Sequence, residues 1–224
     1  MGKKFFEEIE LFLFDMDGLL FDTETIYVGY GHEVAKKMGY TITKDIVEKT
    51  TGVTDDKARI LFKESLGQEF PYDEMMGTVK EHILELAKKS EVPLKPGALE
   101  LLEFLRENNK EMILATSSDL FMAEALINGK DLKKYFSHFV TAEDVVHGKP
   151  DPEVFLIGAK KARVSPEKTA VFEDSFNGIR AAHAAGTFPI MVPDKLKPTE
   201  EIEKLVYKKF NSLVEVLDYF KGND

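Results

Sequence analysis

The sequence predicts an α/β fold built on a doubly wound parallel sheet, with a small helical domain inserted into it. Three short apolar runs, each followed by polar residues, are typical of strands that are buried on both faces: residues 11–14, 112–115 and 170–172. Helical patterns lie between and after these runs. This alternation of strand and helix favours parallel strands joined by helical crossovers.

The other elements of the predicted core follow in chain order. A helix after Pro96 is indicated by four apolar residues at helical spacing: Ala98, Leu101, Leu102 and Leu105. Further helices are expected at about 120–128, 152–162 and 176–185. Gly186 is expected to end the last of these helices, and a fourth strand is expected at 189–192.

Residues 22–89 interrupt the alternation and are expected to form a helical cap domain, inserted between core segments 1–21 and 90–224. No buried strand is indicated there, and the apolar residues follow helical spacing: Val34 and Met38; Ile60 and Leu61; and Val79, Ile83 and Leu86. The chain would pass between the core and the cap near Asp22 and near Ser90, and both connections would lie beside the end of the first strand. That placement suits a lid over a site.

Composition and charge disfavour several classes of protein. The 224 residues include 30 Lys and Arg against 40 Asp and Glu, and the formal net charge of −10 disfavours binding to nucleic acid or to anionic membranes. The absence of cysteine excludes thiolate metal sites and cysteine nucleophiles. No apolar run approaches the roughly 20 residues of a membrane-spanning helix, and residues 1–10 lack a secretion signal. A cytoplasmic monomer without a nucleic-acid or membrane partner is therefore expected.

Acidic, hydroxyl and ammonium groups follow the predicted strands, where ligands bind to open parallel sheets. They are Asp15 and Asp17; Thr116, Ser117 and Ser118; Glu173 and Asp174; and Lys149 in a connecting loop. The acids would repel one another unless a hard cation lay among them, and carboxylate oxygens suit Mg²⁺. The hydroxyls, nearby backbone N–H groups and the ammonium would form an anion receptor. Together these groups indicate phosphoryl transfer.

The spacing of Asp15 and Asp17 predicts that both carboxylates face one substrate, because side chains two residues apart in a strand point the same way. Asp15, ionised at neutral pH, is suited to attack phosphorus directly. Asp17 is the better acid/base: it would first protonate the leaving alcohol and would then take a proton from the attacking water. Gly18 would let the chain turn sharply and bring backbone amides close to phosphate oxygens.

These residues resemble the four ordered motifs of the haloacid dehalogenase superfamily, which has a Rossmann-like core. The motifs are Asp15-x-Asp17-Gly18, Thr116-Ser117-Ser118, Lys149-Pro150 and Glu173-Asp174-Ser175. Residues 15–24, 148–152 and 173–178 resemble the β-phosphoglucomutase-like branch, which carries a helical cap, and residues 115–118 and 147–152 resemble its pseudouridine-5′-phosphatase and sugar-phosphate phosphatase members.

The resemblance implies a role for each of these residues. Asp15 would be the nucleophile and Asp17 the acid/base, and Thr116 and Lys149 would bind phosphate. Mg²⁺ would be held by Asp15, Glu173, Asp174 and the Asp17 carbonyl.

One departure from the mutases of this branch favours a phosphatase. In those mutases the cap carries a His, and also an Arg that receives the distal phosphate of a bisphosphate. This chain has Tyr27 in place of the His and, after Gly52-Val53-Thr54, Asp55 in place of the Arg. The expected function is a Mg²⁺-dependent phosphatase that hydrolyses a sugar phosphate or nucleotide-like phosphomonoester through an aspartyl-phosphate on Asp15. A phosphosugar mutase and a non-catalytic phospho-acceptor module stay open as alternatives.

Several of these residues also have structural explanations. Thr116, Ser117 and Ser118 would also serve as caps of the following helix, a role that is compatible with phosphate binding. A lone lysine such as Lys149 is more often solvated, and Glu173 would serve as a structural acid. Some residues of the predicted cap are as well suited to contact substrate as to a packing or solvated role: Glu24, Tyr27 and residues 50–54.

Overall fold

The computed structural model describes residues 2–50 and 53–222, and within these ranges six parallel strands form one sheet. Numbered along the chain, they are β1 (Leu11–Phe14), β2 (Glu111–Ala115), β3 (His138–Val140), β4 (Thr169–Glu173), β5 (Phe188–Met191) and β6 (Lys208–Lys209). They lie in the order β3-β2-β1-β4-β5-β6, and each neighbouring pair is parallel. The predicted doubly wound parallel sheet is confirmed. The order reverses between β1 and β4, and the crevice beyond their carboxyl ends is where such sheets bind ligands.

Helices cover both faces of the sheet and fill the segment after β1. Along the chain they are α1 (Gly2–Glu8), α2 (Thr23–Lys37), α3 (Lys44–Thr50), α4 (Asp55–Leu66), α5 (Tyr72–Lys88), α6 (Ala98–Glu107), α7 (Leu120–Gly129), α8 (Glu153–Ala162), α9 (Phe176–Ala184), α10 (Glu200–Leu205) and α11 (Leu213–Lys221). None of these helices combines the length and the apolar character that crossing a membrane requires.

Strand β1 is apolar throughout because both of its faces are covered. Phe12 and Phe14 pack against the ring of Phe172 in β4, with ring centroids 5.9 and 4.8 Å apart. Leu11 and Leu13 belong to a separate buried cluster on the other face, which includes Phe155 of α8. A strand buried on both faces shows a continuous apolar run rather than an alternating one.

The chain leaves β1 for α2 and returns from α5 through two segments that run side by side. The Asp22 N–H donates to the carbonyl of Pro93 at 3.0 Å, and the Lys95 N–H donates to that of Leu20 at 2.9 Å. The two segments that connect the core to α2 and to α5 therefore lie together near the end of β1. The division into a core and a mobile cap at residues 22 and 89 stays a prediction.

The predicted apolar face of α4 is wrong in one position. The Ile60 residue is 57% exposed, whereas Ala58 and Phe62 are buried. The Phe62 ring stacks on Phe70, with 5.6 Å between ring centroids, and also contacts Tyr72 at 5.4 Å. Aromatic packing against the segment that leads into α5 therefore sets the orientation of this helix.

Candidate active site

Three carboxylates meet at the point where the strand order reverses. Asp15 directly follows β1, Glu173 is the last residue of β4, and Asp174 comes next. One carboxylate oxygen from each lies within 4.8 Å of the other two. Asp15 and Glu173 are buried, and Asp174 is half-buried. This all-oxygen donor set is the kind that hard cations such as Mg²⁺ prefer.

Lys149 is buried between two of these acids. Its Nζ donates to Asp15 Oδ1 at 2.5 Å, to Glu173 Oε1 at 2.6 Å and to the carbonyl of Ala115 at 3.1 Å. These contacts use all three of its donors, and its side chain is only 6% exposed. Burial alone would lower the pKa of Lys149, but Asp15 and Glu173 raise it above its ordinary value, so the ammonium stays charged. The alternative of a solvated surface lysine is wrong.

The acids carry more negative charge than Lys149 balances. Burial raises the pKa of Asp15 to about 8; Lys149 opposes this shift, and the charges of Glu173 and Asp17 add to it. Burial likewise raises the pKa of Asp174, with further contributions from Glu173 and Asp15. A divalent cation would offset this repulsion. The donor set and its surplus charge therefore fit a Mg²⁺ ion held by Asp15, Glu173 and Asp174.

Asp17 is held by hydroxyl groups from two parts of the structure. Its Oδ1 accepts from Thr23 Oγ1 and its Oδ2 from Ser118 Oγ, each at 2.7 Å. Burial raises the pKa of Asp17 above its ordinary value, and these two hydrogen bonds act in the opposite direction. Thr23, the first residue of α2, is fully buried. Thr23 was not predicted as a site residue, although it lies in the stretch 15–24.

Gly18 allows a close approach between the turn after β1 and Asp174. Its φ is +78°, and a Cβ at this position would overlap the Asp174 carboxylate. The Gly18 N–H donates to the carbonyl of Phe21 at 2.9 Å, so this amide is engaged within the turn. The observed role of Gly18 is conformational, and its contact with phosphate stays a prediction.

The hydroxyl residues after β2 are not the caps of α7. That cap is Asp119, whose carboxylate accepts from the Met122 N–H at 2.8 Å. Thr116 is 1% exposed, and its Oγ1 accepts from the Ser118 N–H at 3.0 Å. A threonine hydroxyl that accepts in this way keeps its own hydrogen for another acceptor.

A cavity of about 570 Å³ opens over this edge of the sheet. Seven of the predicted site residues line it: Asp15, Asp17, Thr116, Ser117, Ser118, Lys149 and Asp174. Glu173 lies behind them, fully buried, where its carboxylate fixes Lys149. Residues from helices α2 to α5 and from the loops between them form the opposite wall, which includes Glu24, Tyr27, Thr50, Val53 and Thr54. Thr51 and Gly52, which belong to the same predicted set, lie outside the described residues.

Two further residues at the start of α9 line the cavity and were not predicted as site residues, Ser175 and Asn177. Ser175 Oγ donates to Glu173 Oε2 at 2.9 Å and accepts from the Gly178 N–H at 3.0 Å. It therefore caps α9 and orients Glu173 at the same time. The sequence signal was its place directly after the two acids.

Comparisons with known proteins point in the same direction as the geometry. The family description haloacid dehalogenase-like hydrolase matches residues 9–186. A phosphorylated carbohydrates phosphatase from Thermotoga maritima is 35% identical over 182 residues, which cover 80% of this chain and 82% of the relative. A candidate pseudouridine-5′-phosphatase from Drosophila melanogaster is 33% identical over 87% of this chain and 86% of its own. A crystal structure of a candidate β-phosphoglucomutase from Thermotoga maritima superimposes with a TM-score of 0.78 at 31% identity, covering 96% of this chain and 99% of the other.

Proposed function

Because this chain belongs to the haloacid dehalogenase-like hydrolases, we propose that it is a Mg²⁺-dependent phosphatase acting through an aspartyl-phosphate on Asp15. Its substrate is a small phosphomonoester, either a sugar phosphate or a nucleotide-like compound. The observation that carries this proposal is the Lys149 ammonium, buried against both Asp15 and Glu173 at the base of the cavity. The cytoplasmic location and the monomeric state stay predictions.

Asp15, Glu173 and Asp174 would hold the metal. When bound there, Mg²⁺ would offset negative charge on the carboxylates and on the phosphoryl oxygens. The Thr116 hydroxyl would bind another phosphoryl oxygen, and Lys149 would do so by exchanging one of its three present acceptors for the substrate, since both residues face the cavity. The Asp17 carbonyl is a further proposed ligand.

Asp15 is proposed as the nucleophile. Lys149 binds its Oδ1, which leaves Oδ2 to attack phosphorus. The new Oδ2–P bond forms as the bond from phosphorus to the ester oxygen breaks. Protonated Asp17 gives its proton to the departing alkoxide. Asp17 then takes a proton from a water molecule that attacks phosphorus, so phosphate is released and the Asp15 carboxylate is regenerated.

A phosphosugar mutase is the second candidate, because one of the solved structures at 31% identity is a candidate β-phosphoglucomutase. By the resemblance described above, a mutase would carry His and Arg where this chain has Tyr27 and Asp55. Both of these residues line the cavity, and neither would hold a distal phosphate. This substitution supports hydrolysis rather than a second phosphoryl transfer.

The proposal is tested by phosphate release from sugar phosphates, nucleotides and pseudouridine 5′-phosphate, in the presence of Mg²⁺ or of a chelator. Asp15→Asn is compared with Asp151→Asn, which removes a carboxylate from the Lys149 loop that does not line the cavity. We expect Mg²⁺-dependent release that Asp15→Asn abolishes and Asp151→Asn retains. Undiminished release in folded Asp15→Asn protein would overturn the mechanism. Isomerisation of a sugar 1-phosphate in the presence of a bisphosphate primer would favour the mutase.

A further inference from the structure

The cavity has a phosphoryl end, formed by the edge of the sheet, and a second end that would receive the leaving group. Side chains from helices α2 to α5 and from the loops between them form this second end. Much of its wall is apolar: Val28, Ile42, Val47, Met75 and Met76. The same wall contains two carboxylates, Glu24 and Asp55, and the hydroxyl group of Tyr27.

The Asp55 carboxylate is held in a fixed position at this wall. Its Oδ1 accepts from Tyr72 Oη at 2.8 Å, and its Oδ2 accepts from Arg59 Nη2 at 3.0 Å. Tyr72 is itself buried, and the Arg59 guanidinium lies 5.5 Å from the centroid of the Tyr72 ring. The carboxylate is therefore oriented before any ligand enters.

Arg59 does not neutralise this part of the wall. Its guanidinium also pairs with Asp56 at 2.7 Å and with Asp73 at 2.9 Å. One positive charge thus faces three carboxylates, and the surplus is negative. Lys80 also lines the cavity, but it lies about two helical turns, roughly 12 Å, beyond Tyr72 along α5.

This arrangement favours hydroxyl groups over anions. Each oxygen of a carboxylate has two acceptor positions, so Asp55 retains a place for a donor on each oxygen beyond Tyr72 and Arg59. Within the described part of the chain, neither Tyr27 Oη nor the Glu24 carboxylate makes a hydrogen bond, so both can bind polar groups of a ligand. A second phosphate or a carboxylate in the same place would meet the charge of Asp55.

We propose that Asp55 determines the substrate class of this enzyme, by accepting a hydroxyl of an uncharged polyhydroxy leaving group and by repelling any second anion. The inference rests on the phosphatase function proposed above. It identifies the substrates as monophosphate esters of neutral polyols, sugars or nucleosides, and excludes bisphosphates and phosphorylated carboxylic acids.

The test compares kcat/KM within two pairs of substrates that differ by one anionic group, measured with the full chain and Mg²⁺. Glycerol 3-phosphate is paired with 3-phosphoglycerate, and glucose 6-phosphate with glucose 1,6-bisphosphate. Asp55→Asn and Asp55→Ser remove the charge at the wall. Asp56→Asn is the matched control, because Asp56 pairs with the same Arg59 but does not line the cavity.

For the unmodified protein, we expect kcat/KM to be about tenfold or more higher for the neutral member of each pair than for the anionic member. In the Asp55 variants, this ratio of kcat/KM values should fall about tenfold. Asp56→Asn should keep it. If phosphate is released but folded Asp55→Asn and Asp55→Ser protein keep the original preference, Asp55 is not the determinant and the phosphatase function stands. An initial preference for the anionic member would also overturn the inference. Release from none of the substrates by the unmodified protein would overturn the proposed function itself.

Discussion

Gly178 lies directly against the carboxylate of Glu173. A Cβ at position 178 would overlap Glu173 Cδ and both carboxylate oxygens. The first turn of α9 can approach β4 this closely only because position 178 has no side chain. The same carboxylate accepts from Lys149 on one oxygen and from the Ser175 N–H and Oγ on the other. The glycine is therefore required for the position of the group that fixes Lys149.

Gly178→Ala should destabilise the protein by about 1–3 kcal/mol, because the added methyl group must displace a buried, hydrogen-bonded carboxylate. The free energy of unfolding in urea measures this effect. Gly77→Ala is the matched control, since Gly77 lies inside α5 with open space where its Cβ would be. It should stabilise the helix by up to about 1 kcal/mol. Equal stability of Gly178→Ala and the unmodified protein would show that Glu173 can move without cost.

Asp17→Asn should separate the two proton transfers assigned to Asp17. Hydrolysis of a sugar phosphate should fall by roughly 10²–10⁴-fold, because the alkoxide leaving group needs a proton. With p-nitrophenyl phosphate, whose leaving group departs unprotonated, the aspartyl-phosphate should still form. Hydrolysis of this aspartyl-phosphate still needs a base, which the variant lacks. A burst of p-nitrophenol equal to the enzyme concentration, followed by slow turnover, is the expected stopped-flow result.

The matched control for this experiment is Asp119→Asn. It removes a charge that acts on Asp17 and keeps the cap of α7, because Asn caps helices as well as Asp does. This variant should turn over both substrates without a burst. If Asp17→Asn lost the same factor on both substrates and showed no burst, leaving-group protonation by Asp17 would be ruled out.

The central sheet could be predicted because strands buried on both faces leave a continuous apolar run, as residues 11–14 show. The outer strands lack that signal. β3 has three residues, of which His138 is exposed, and β6 has only two. Helix α1 was also not predicted. Its Phe5 and Phe6 are buried by contacts with distant residues, Tyr207 and Phe220, which local periodicity does not show.

The phosphoryl end of the site could be predicted for a similar reason. The carboxyl ends of parallel strands share one edge, so residues that follow β1, β2 and β4 had to come close together. The leaving-group end depends on how the four helices α2 to α5 pack against one another. The contact of Tyr72 with Asp55 spans 17 residues, and no spacing rule anticipates it. The geometry of substrate selection therefore required the structure.

Glu24 lines the cavity but is not one of the predicted metal ligands. Burial raises its pKa from 4.5 to about 7, and the charges of Asp17 and Asp194 add to this shift. A carboxyl group whose pKa is higher in the folded state takes up a proton on folding between these two values. Its contribution to stability is complete below about pH 4.5 and is lost as the pH rises through about 7.

Replacing Glu24 with Gln should therefore flatten the pH dependence of the free energy of unfolding between pH 4.5 and 8, measured in chelator. The shift of Glu24 allows at most about 3 kcal/mol for this contribution. Glu33→Gln is the matched control, because Glu33 is exposed on the same helix, and it should follow the unmodified protein. A Glu24→Gln variant whose stability falls as steeply as that of the unmodified protein would place the Glu24 carboxylate in water.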